Sequence, residues 1–348
     1  MALTEYKTIG TERVNEIFDN IGRVKVGLIG DICIDIYWLA DMTLSEISRE
    51  TPHHPLIIVD ERFGLGAGGN VLSNLAALKP KEIFVTGIIG DDWRGGLISR
   101  HISALNVSDK FLLKKTGFKS YAYCKPLRKG ISDVVYEDPR LDFSGSPMDS
   151  ETEKELVVKL EAMAAEVDII CVSDQFMDGC ITPLVREKIC ELGKSMKIIV
   201  DSRDRIALYR NVTIKPNQVE GVAAAADISG IPAESFHSRG VDGYIEAAGI
   251  IKKDMNCDIS MTLGKDGCMQ FYGGKAVHVH GRIIDPPIDF CGAGDTFLSS
   301  FTVMTGAGAA PEEAGIIAGM ASEVTIKKIA ETGTASRDEI MNRYKTAY

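Results

Sequence analysis

The sequence predicts an α/β fold: a mostly parallel sheet covered by helices on both faces. Two observations carry that reading. Short apolar runs alternate with longer amphipathic stretches along most of the chain, and repeated βα units stack into a parallel sheet with helices on its faces. The 348 residues are 45% hydrophobic and 25% charged, enough apolar material for a large core without disulfide or metal staples.

Taken in chain order, the apolar strand-like runs lie at residues 24–30, 82–87, 168–172, 197–201 and 258–263. Amphipathic helical patterns fill the gaps at 70–78, 95–104, 151–165, 182–192 and 240–253. Two places break the alternation. Residues 55–60 form a strand-like run with no helix before it, and 119–125 with 132–136 read as a hairpin around Arg128-Lys129-Gly130. These extra strands would form either a small separate sheet over the strand ends, as an active-site lid does, or an antiparallel edge extension. No repeat, low-complexity tract or interdomain linker divides the chain, so residues 1–348 are expected to form one domain.

Charge and cysteine usage narrow the function classes. A formal net charge of -10 argues against nucleic-acid or anionic-membrane partners, which call for basic patches. Eight cysteines are scattered without Cys-x-x-Cys spacing, which reads as small buried hydrophobes in a reducing compartment. There is no signal-peptide pattern and no apolar run long enough to span a bilayer. A cytoplasmic protein is expected.

In open parallel sheets ligands bind beyond the carboxyl ends of the strands, so residues just after strands are the ones to weigh. The strongest chemistry lies late in the chain. Gly292-Ala293-Gly294 precedes Asp295-Thr296-Phe297-Leu298, which reads as a helix start. Small residues admit a sharp turn and close approach of a ligand. The first N–H groups of a helix have no internal partner, so this turn is an anion hole suited to a transferring phosphoryl group. Asp295 at its mouth could orient a hydroxyl and take its proton, or serve only as a helix cap. The helix end would keep that carboxylate ionised near neutral pH.

The run Asp289-Phe290-Cys291-Gly292-Ala293-Gly294-Asp295-Thr296 resembles the C-terminal signature of the ribokinase-like, or PfkB, sugar kinases, Asp-Thr-x-Gly-Ala-Gly-Asp-x-Phe. Phe290 and Cys291 depart from the usual Thr residues. The resemblance implies an ATP-dependent carbohydrate kinase with Asp295 as base and the Gly292, Ala293 and Gly294 amides as anion hole. It also implies a three-layer α/β/α sandwich with a small β-sheet lid, here strands within about 34–60 and 117–138. Lys215-Pro216-Asn217-Gln218-Val219-Glu220 resembles the family's Asn-x-x-Glu element, implying that Asn217 and Glu220 serve Mg2+ and the ATP phosphates; a carboxylate suits hydrated Mg2+. Met261-Thr262-Leu263-Gly264-Lys265-Asp266-Gly267 resembles its nucleotide loop, implying that Thr262, Gly264 and Gly267 line the ATP site. Residues 318–328, ending near Gly333-Thr334, resemble the helix and turn that border adenine.

Earlier in the chain, Asp31 and Asp35 follow the first strand, where two carboxylates could bind sugar hydroxyls or simply sit in a solvated turn. Gly68, Gly69 and Asn70 resemble the family element that opens a helix beside the acceptor. Gly90 and Gly95 read as turn residues and Asp92 as a helix cap. Within the family the likeness is to the heptose-phosphate kinase branch: Gly30-Asp31-Ile32-Cys33-Ile34-Asp35-Ile36-Tyr37-Trp38, Ile47-Ser48-Arg49-Glu50-Thr51-Pro52 and Ser173-Asp174 all resemble its motifs, implying that Ser173 and Asp174 also bind the acceptor. Arg49, Thr51 and His53-His54 depart from it where the acceptor would bind, and the lid hairpin lacks a clear Arg-Leu-Asp before Asp138. The implied partners are a small sugar or sugar phosphate and ATP/ADP, with homodimerisation through the lid.

Two other readings make different predictions. A non-catalytic sugar- or nucleotide-binding regulator on the same fold would bind ligand and release no ADP. A dinucleotide enzyme would use Gly64-Leu65-Gly66-Ala67-Gly68-Gly69 as a Gly-x-Gly-x-x-Gly fingerprint, but that fingerprint follows its strand directly, and here Glu61-Arg62-Phe63 intervene. His278 and His280 share a strand face and could bind metal, although the sequence offers no third ligand beside them.

Overall fold

The computed structural model describes residues 1–329 and 332–347. The five expected apolar runs all fall in one ten-stranded sheet. From one edge to the other the order is Ala2–Tyr6, Lys275–His280, Gly267–Tyr272, Asp258–Thr262, Thr213–Ile214, Lys197–Ser202, Ile169–Asp174, Lys25–Gly30, Glu82–Gly90 and Ser108–Lys115. Pairing is parallel from Asp258–Thr262 to Ser108–Lys115 and antiparallel only around Gly267–Tyr272.

Side-chain alternation along the central strands explains the three layers. Val26, Leu28, Ile169 and Cys171 point into one apolar cluster, with Val14, Leu72, Phe297 and Ile317 of the helices Thr11–Ile21, Gly68–Leu78, Ala293–Gly306 and Pro311–Thr325. Ile29, Ile170 and Val172 point into the other, with Leu156, Val185, Val222 and Ile251 of Ser150–Ala164, Pro183–Leu192, Gln218–Ser229 and Val241–Met255. Each such side chain, fully buried, contributes about 1.5–3 kcal/mol, so the continuous apolar runs are what a two-sided sheet requires.

The irregular strands form a second, five-stranded sheet. Ile32–Asp41 lies antiparallel to Ile58–Ala67 and parallel to Tyr121–Lys129, which also pairs with Tyr136–Glu137 and Leu141–Phe143. Boundaries differ from expectation at several places, among them the second hairpin strand, expected at 132–136 and found at Tyr136–Glu137. Residues 30–35 are not a loop: only Asp31 separates the Lys25–Gly30 and Ile32–Asp41 strands, and Ile32, Ile34 and Ile36 alternate into the core. The strand expected at 55–60 starts at Ile58 and runs on to Ala67. The hairpin turn is not at Arg128-Lys129, which lie in the strand; it begins at Gly130, whose φ of 89° suits a residue without a side chain. The strand Ala2–Tyr6 and the helix Thr11–Ile21 add elements at the N-terminal end that the sequence patterns did not single out.

All eight cysteines are unpaired and six are buried, with Cys190 partly buried and Cys291 exposed. Among the described residues no helix is long and apolar enough to cross a membrane.

Candidate active site

The site is built where two helix N-termini meet over the ends of the parallel strands. The helix Gly68–Leu78 leaves the small sheet directly after Ala67, and the helix Ala293–Gly306 begins after Gly292. Polar contacts lock the two together. Asn70 Nδ2 donates to Asp295 Oδ2 at 2.7 Å, Thr296 Oγ1 donates to Asn74 Oδ1 at 3.0 Å, and Ser299 Oγ donates to the Val71 carbonyl at 3.0 Å. Gly292 makes the approach possible. Its φ is 75°, and a Cβ there would lie 2.8 Å from Asn70 Nδ2.

Asp295 therefore stands in the first helical turn, partly exposed, with its carboxylate held by Asn70. Burial pushes its pKa up to about 6, the Asn70 bond works against that, and the Asp201 charge adds to it while Lys215 opposes. It remains mostly ionised at pH 7, though closer to neutrality than a helix N-terminus alone would make it. The anion hole is smaller than expected. The Ala293 N–H donates to the Phe290 carbonyl at 3.2 Å, whereas the Gly294 and Asp295 amides have no partner among the described residues.

Beside Gly294 opens a cleft of about 440 Å3 lined by Asp201, Arg203, Lys215, Asn217, Glu220, Thr262 and Gly264, among others. Four of the expected nucleotide residues thus share one cavity. Gly267 does not line it: it opens the strand Gly267–Tyr272 in register with His280, and its φ of 90° serves the turn into that strand. Asn217 caps the helix Gln218–Ser229, accepting from the Val219 and Glu220 amides, while Glu220 Oε2 accepts from the Asn217 amide at 2.8 Å. The Asn-x-x-Glu element is thus a capping box first, which holds both side chains at the cleft.

The sequence patterns missed Lys215 and Asp201. Lys215 Nζ lies buried 3.3 Å from Asp201. Burial alone would lower the lysine's pKa; Asp201 and Glu220 more than offset this and raise it, so the ammonium stays charged. Lys215 stood inside the quoted Lys-Pro-Asn run and Asp201 ended an expected strand, so position was legible and chemistry was not.

On the other side of Asp295 lie the expected acceptor residues. Gly68, Gly69 and Asn70 are buried at the helix start. Asp35 is buried on the small sheet, 3.3 Å from Lys125 Nζ, which in turn donates to Tyr37 Oη at 2.9 Å. Burial raises the Asp35 pKa and Lys125 pulls it back. Ser173 Oγ, at the strand end on this side, is buried with no hydrogen-bond partner among the described residues. Asp31 and Asp174 are engaged differently from expectation. Both Asp31 oxygens accept backbone amides, from Gln175, Phe176 and Cys180 at 2.7–2.9 Å. The carboxylate pins the 175–180 loop to the strand end instead of facing an acceptor. Asp174 accepts from Ser202, Tyr209 and the Arg205 guanidinium, three of these bonds on Oδ2 and one on Oδ1, so both oxygens are engaged. The Gly-rich run 64–69 ends an antiparallel strand of the small sheet and enters the next helix at Gly68; it does not follow a parallel strand as a dinucleotide fingerprint does.

Comparisons with known proteins agree with this geometry. The sequence profile of the pfkB family carbohydrate kinases matches residues 34–336. The chain is 29% identical over 329 residues to the bifunctional protein HldE of Desulfatibacillum aliphaticivorans, covering 90% of this chain and 61% of that relative's length. The chain thus spans about three fifths of the relative it matches. Its fold is similar to Arabidopsis thaliana ribokinase complexed with ribose and ATP, at TM-score 0.66 and 16% identity over 93% of this chain and 99% of that one. Escherichia coli phosphofructokinase-2 in complex with fructose-6-phosphate gives TM-score 0.66 and 18% identity over the same shares, 93% and 99%.

Proposed function

The chain belongs to the pfkB family of carbohydrate kinases, and we propose that it transfers the γ-phosphoryl group of ATP to a hydroxyl of a small sugar or sugar phosphate, with Asp295 as the base. The observation that carries the proposal is the position of one carboxylate. Asp295 lies between the polar cleft beside Gly294 and the Asn70–Asp35 side, tied to Asn70 and within the electrostatic reach of Lys215, Asp201 and Asp35.

In this reading the sugar lies against Gly68, Gly69, Asn70, Asp35 and Ser173, and ATP lies along Asn217, Thr262 and Gly264. Asp295 accepts the proton of the attacking hydroxyl as its oxygen bonds to the γ-phosphorus, and the bond from that phosphorus to the β–γ bridging oxygen breaks. The Gly294 and Asp295 amides and the Lys215 ammonium stabilise the charge on the transferring group. Oε1 of Glu220, with Asp201 beside it, suits Mg2+, a hard cation, because only Oε2 is committed to the capping box; the one side-chain oxygen of Asn217 already accepts the Val219 and Glu220 amides, so Asn217 would serve by holding Glu220 at the cleft. Bound there, Mg2+ would neutralise phosphate charge. The small sheet would act as a lid that excludes water from the closed site, within a single kinase domain.

Lys125 beside Asp35 and Tyr37 offers a cation to a phosphorylated acceptor, which supports a sugar phosphate. The sequence likeness to the heptose-phosphate kinase branch makes heptose 7-phosphate the first acceptor to try. The small sheet also exposes Ile58, Val59, Val134, Val135, Tyr136 and Leu141, a patch that suits a homodimer through the lid. Eight unpaired cysteines suit a reducing, cytoplasmic setting, and the acidic chain calls for no nucleic-acid or membrane partner. The test is ADP release with ATP, Mg2+ and a panel of sugars and sugar phosphates. Release dependent on one acceptor is expected. Nucleotide binding without release for any member would favour a non-catalytic regulator.

A further inference from the structure

We propose that Glu5, His278 and His280 form a site for a divalent transition metal of the zinc class, separate from the Mg2+-ATP cleft. The sequence offered two histidines on one strand face and no third ligand; the fold supplies it. The strand Ala2–Tyr6 pairs in parallel with Lys275–His280, and Glu5 stands in register with His278. Residues in register, and those two positions further along, share a face. One ligand atom from each of Glu5, His278 and His280 therefore converges, all within 4.8 Å of one another. His280 Nε2 already bonds Glu5 Oε2, and His278 Nδ1 lies 3.9 Å from the same oxygen.

A second observation points to a metal ligand. His278 Nε2 lies 2.9 Å from the Asp266 carbonyl. A carbonyl only accepts, so Nε2 carries a proton, and in the neutral imidazole Nδ1, on the Glu5 side, is the nitrogen free to ligate. Metal-bound histidines are oriented this way, the second nitrogen donating to a carbonyl or carboxylate. Two imidazoles and one carboxylate are the donor set of open zinc sites, with remaining positions for water or a ligand. All-oxygen coordination would suit Mg2+ instead, so the two metals would separate by chemistry. The site opens on a cavity of about 400 Å3 whose lining includes Lys265, Asp266, Gly281 and Ile283. Through Asp266 it touches the Gly264–Gly267 turn that borders the nucleotide cleft. Metal at this point would fasten the edge strand Ala2–Tyr6 to that turn.

The experiment is titration of chelator-stripped full-length protein with Zn2+ by calorimetry, in excess Mg2+. One Zn2+ per chain is expected, with affinity reduced on the order of 10-fold or more in each of Glu5→Gln, His278→Ala and His280→Ala. X-ray absorption at the zinc edge of the unmodified protein guards against variants that misfold. It should give nitrogen or oxygen ligands at about 2.0–2.1 Å. Absence of binding, unchanged affinity in well-folded variants, or a sulfur ligand at about 2.3 Å, which would put the ion on the exposed Cys291 or another cysteine, overturns the proposal.

Discussion

Replacing Asn70 by alanine should move the acid limb of the pH–rate profile. In the native site two effects oppose each other at Asp295. Burial raises its pKa to about 6, and the 2.7 Å bond from Asn70 Nδ2 holds it down. A hydrogen bond to a charged group contributes about 1.5–3 kcal/mol, and about 1.4 kcal/mol corresponds to one pH unit. Asn70→Ala should therefore shift the limb upward by about one to two pH units. At pH 7 the ionised fraction of Asp295 would fall from about nine-tenths to about one half or less. The assay is kcat against pH, from 5 to 9, at saturating ATP and acceptor. Lost acceptor contacts would appear in KM and lost positioning would lower the whole curve; only the electrostatic effect displaces the limb. A limb that stays near pH 6 while activity drops would refute the coupling of Asn70 to Asp295.

Other expectations rest on neighbouring contacts. Asp295→Asn should stabilise the fold above pH 6. A carboxyl whose folded pKa of about 6 lies above its ordinary 3.8 favours the fold only while protonated, and that advantage disappears as pH rises through 6. The gain should be about 1–2 kcal/mol after allowance for solvent screening, read by urea unfolding at pH 8 and absent at pH 4. Gly292→Ala should cost turnover about 10²-fold, because its Cβ would displace Asn70 and its φ would be left-handed; activity within about twofold of native would contradict the packing argument. Lys215→Met should destabilise by about 3–5 kcal/mol by stranding Asp201, and Lys215→Met with Asp201→Asn should regain most of that stability in denaturant titrations without regaining activity.

The sheet was legible because strands buried on both faces read as unbroken apolar runs, and because Gly-Ala-Gly-Asp and Asn-x-x-Glu fall at helix starts. The small sheet was read less well. Ile32–Asp41 follows the preceding strand after a single residue, so no turn signal marks it, although Ile32, Ile34 and Ile36 alternate. Asp31, by its place at a strand end, and Asp174, by its motif resemblance, read as acceptor ligands. Their actual partners, the 175–180 amides and Arg205, lie on segments whose approach no local pattern announces. Lys215 was passed over for the same reason: its partner Asp201 is a neighbour across the sheet, not along the chain. The Glu5 contact with the histidine pair needed the register of two strands far apart in sequence.

The account depends most on the chemical role of Asp295. The direct measurement is acceptor-dependent ADP release by Asp295→Asn beside the native chain, with ATP affinity determined on both. Turnover should fall by about 10²-fold or more with ATP binding unchanged. Near-native turnover in the variant would contradict the assignment of this carboxylate as the base.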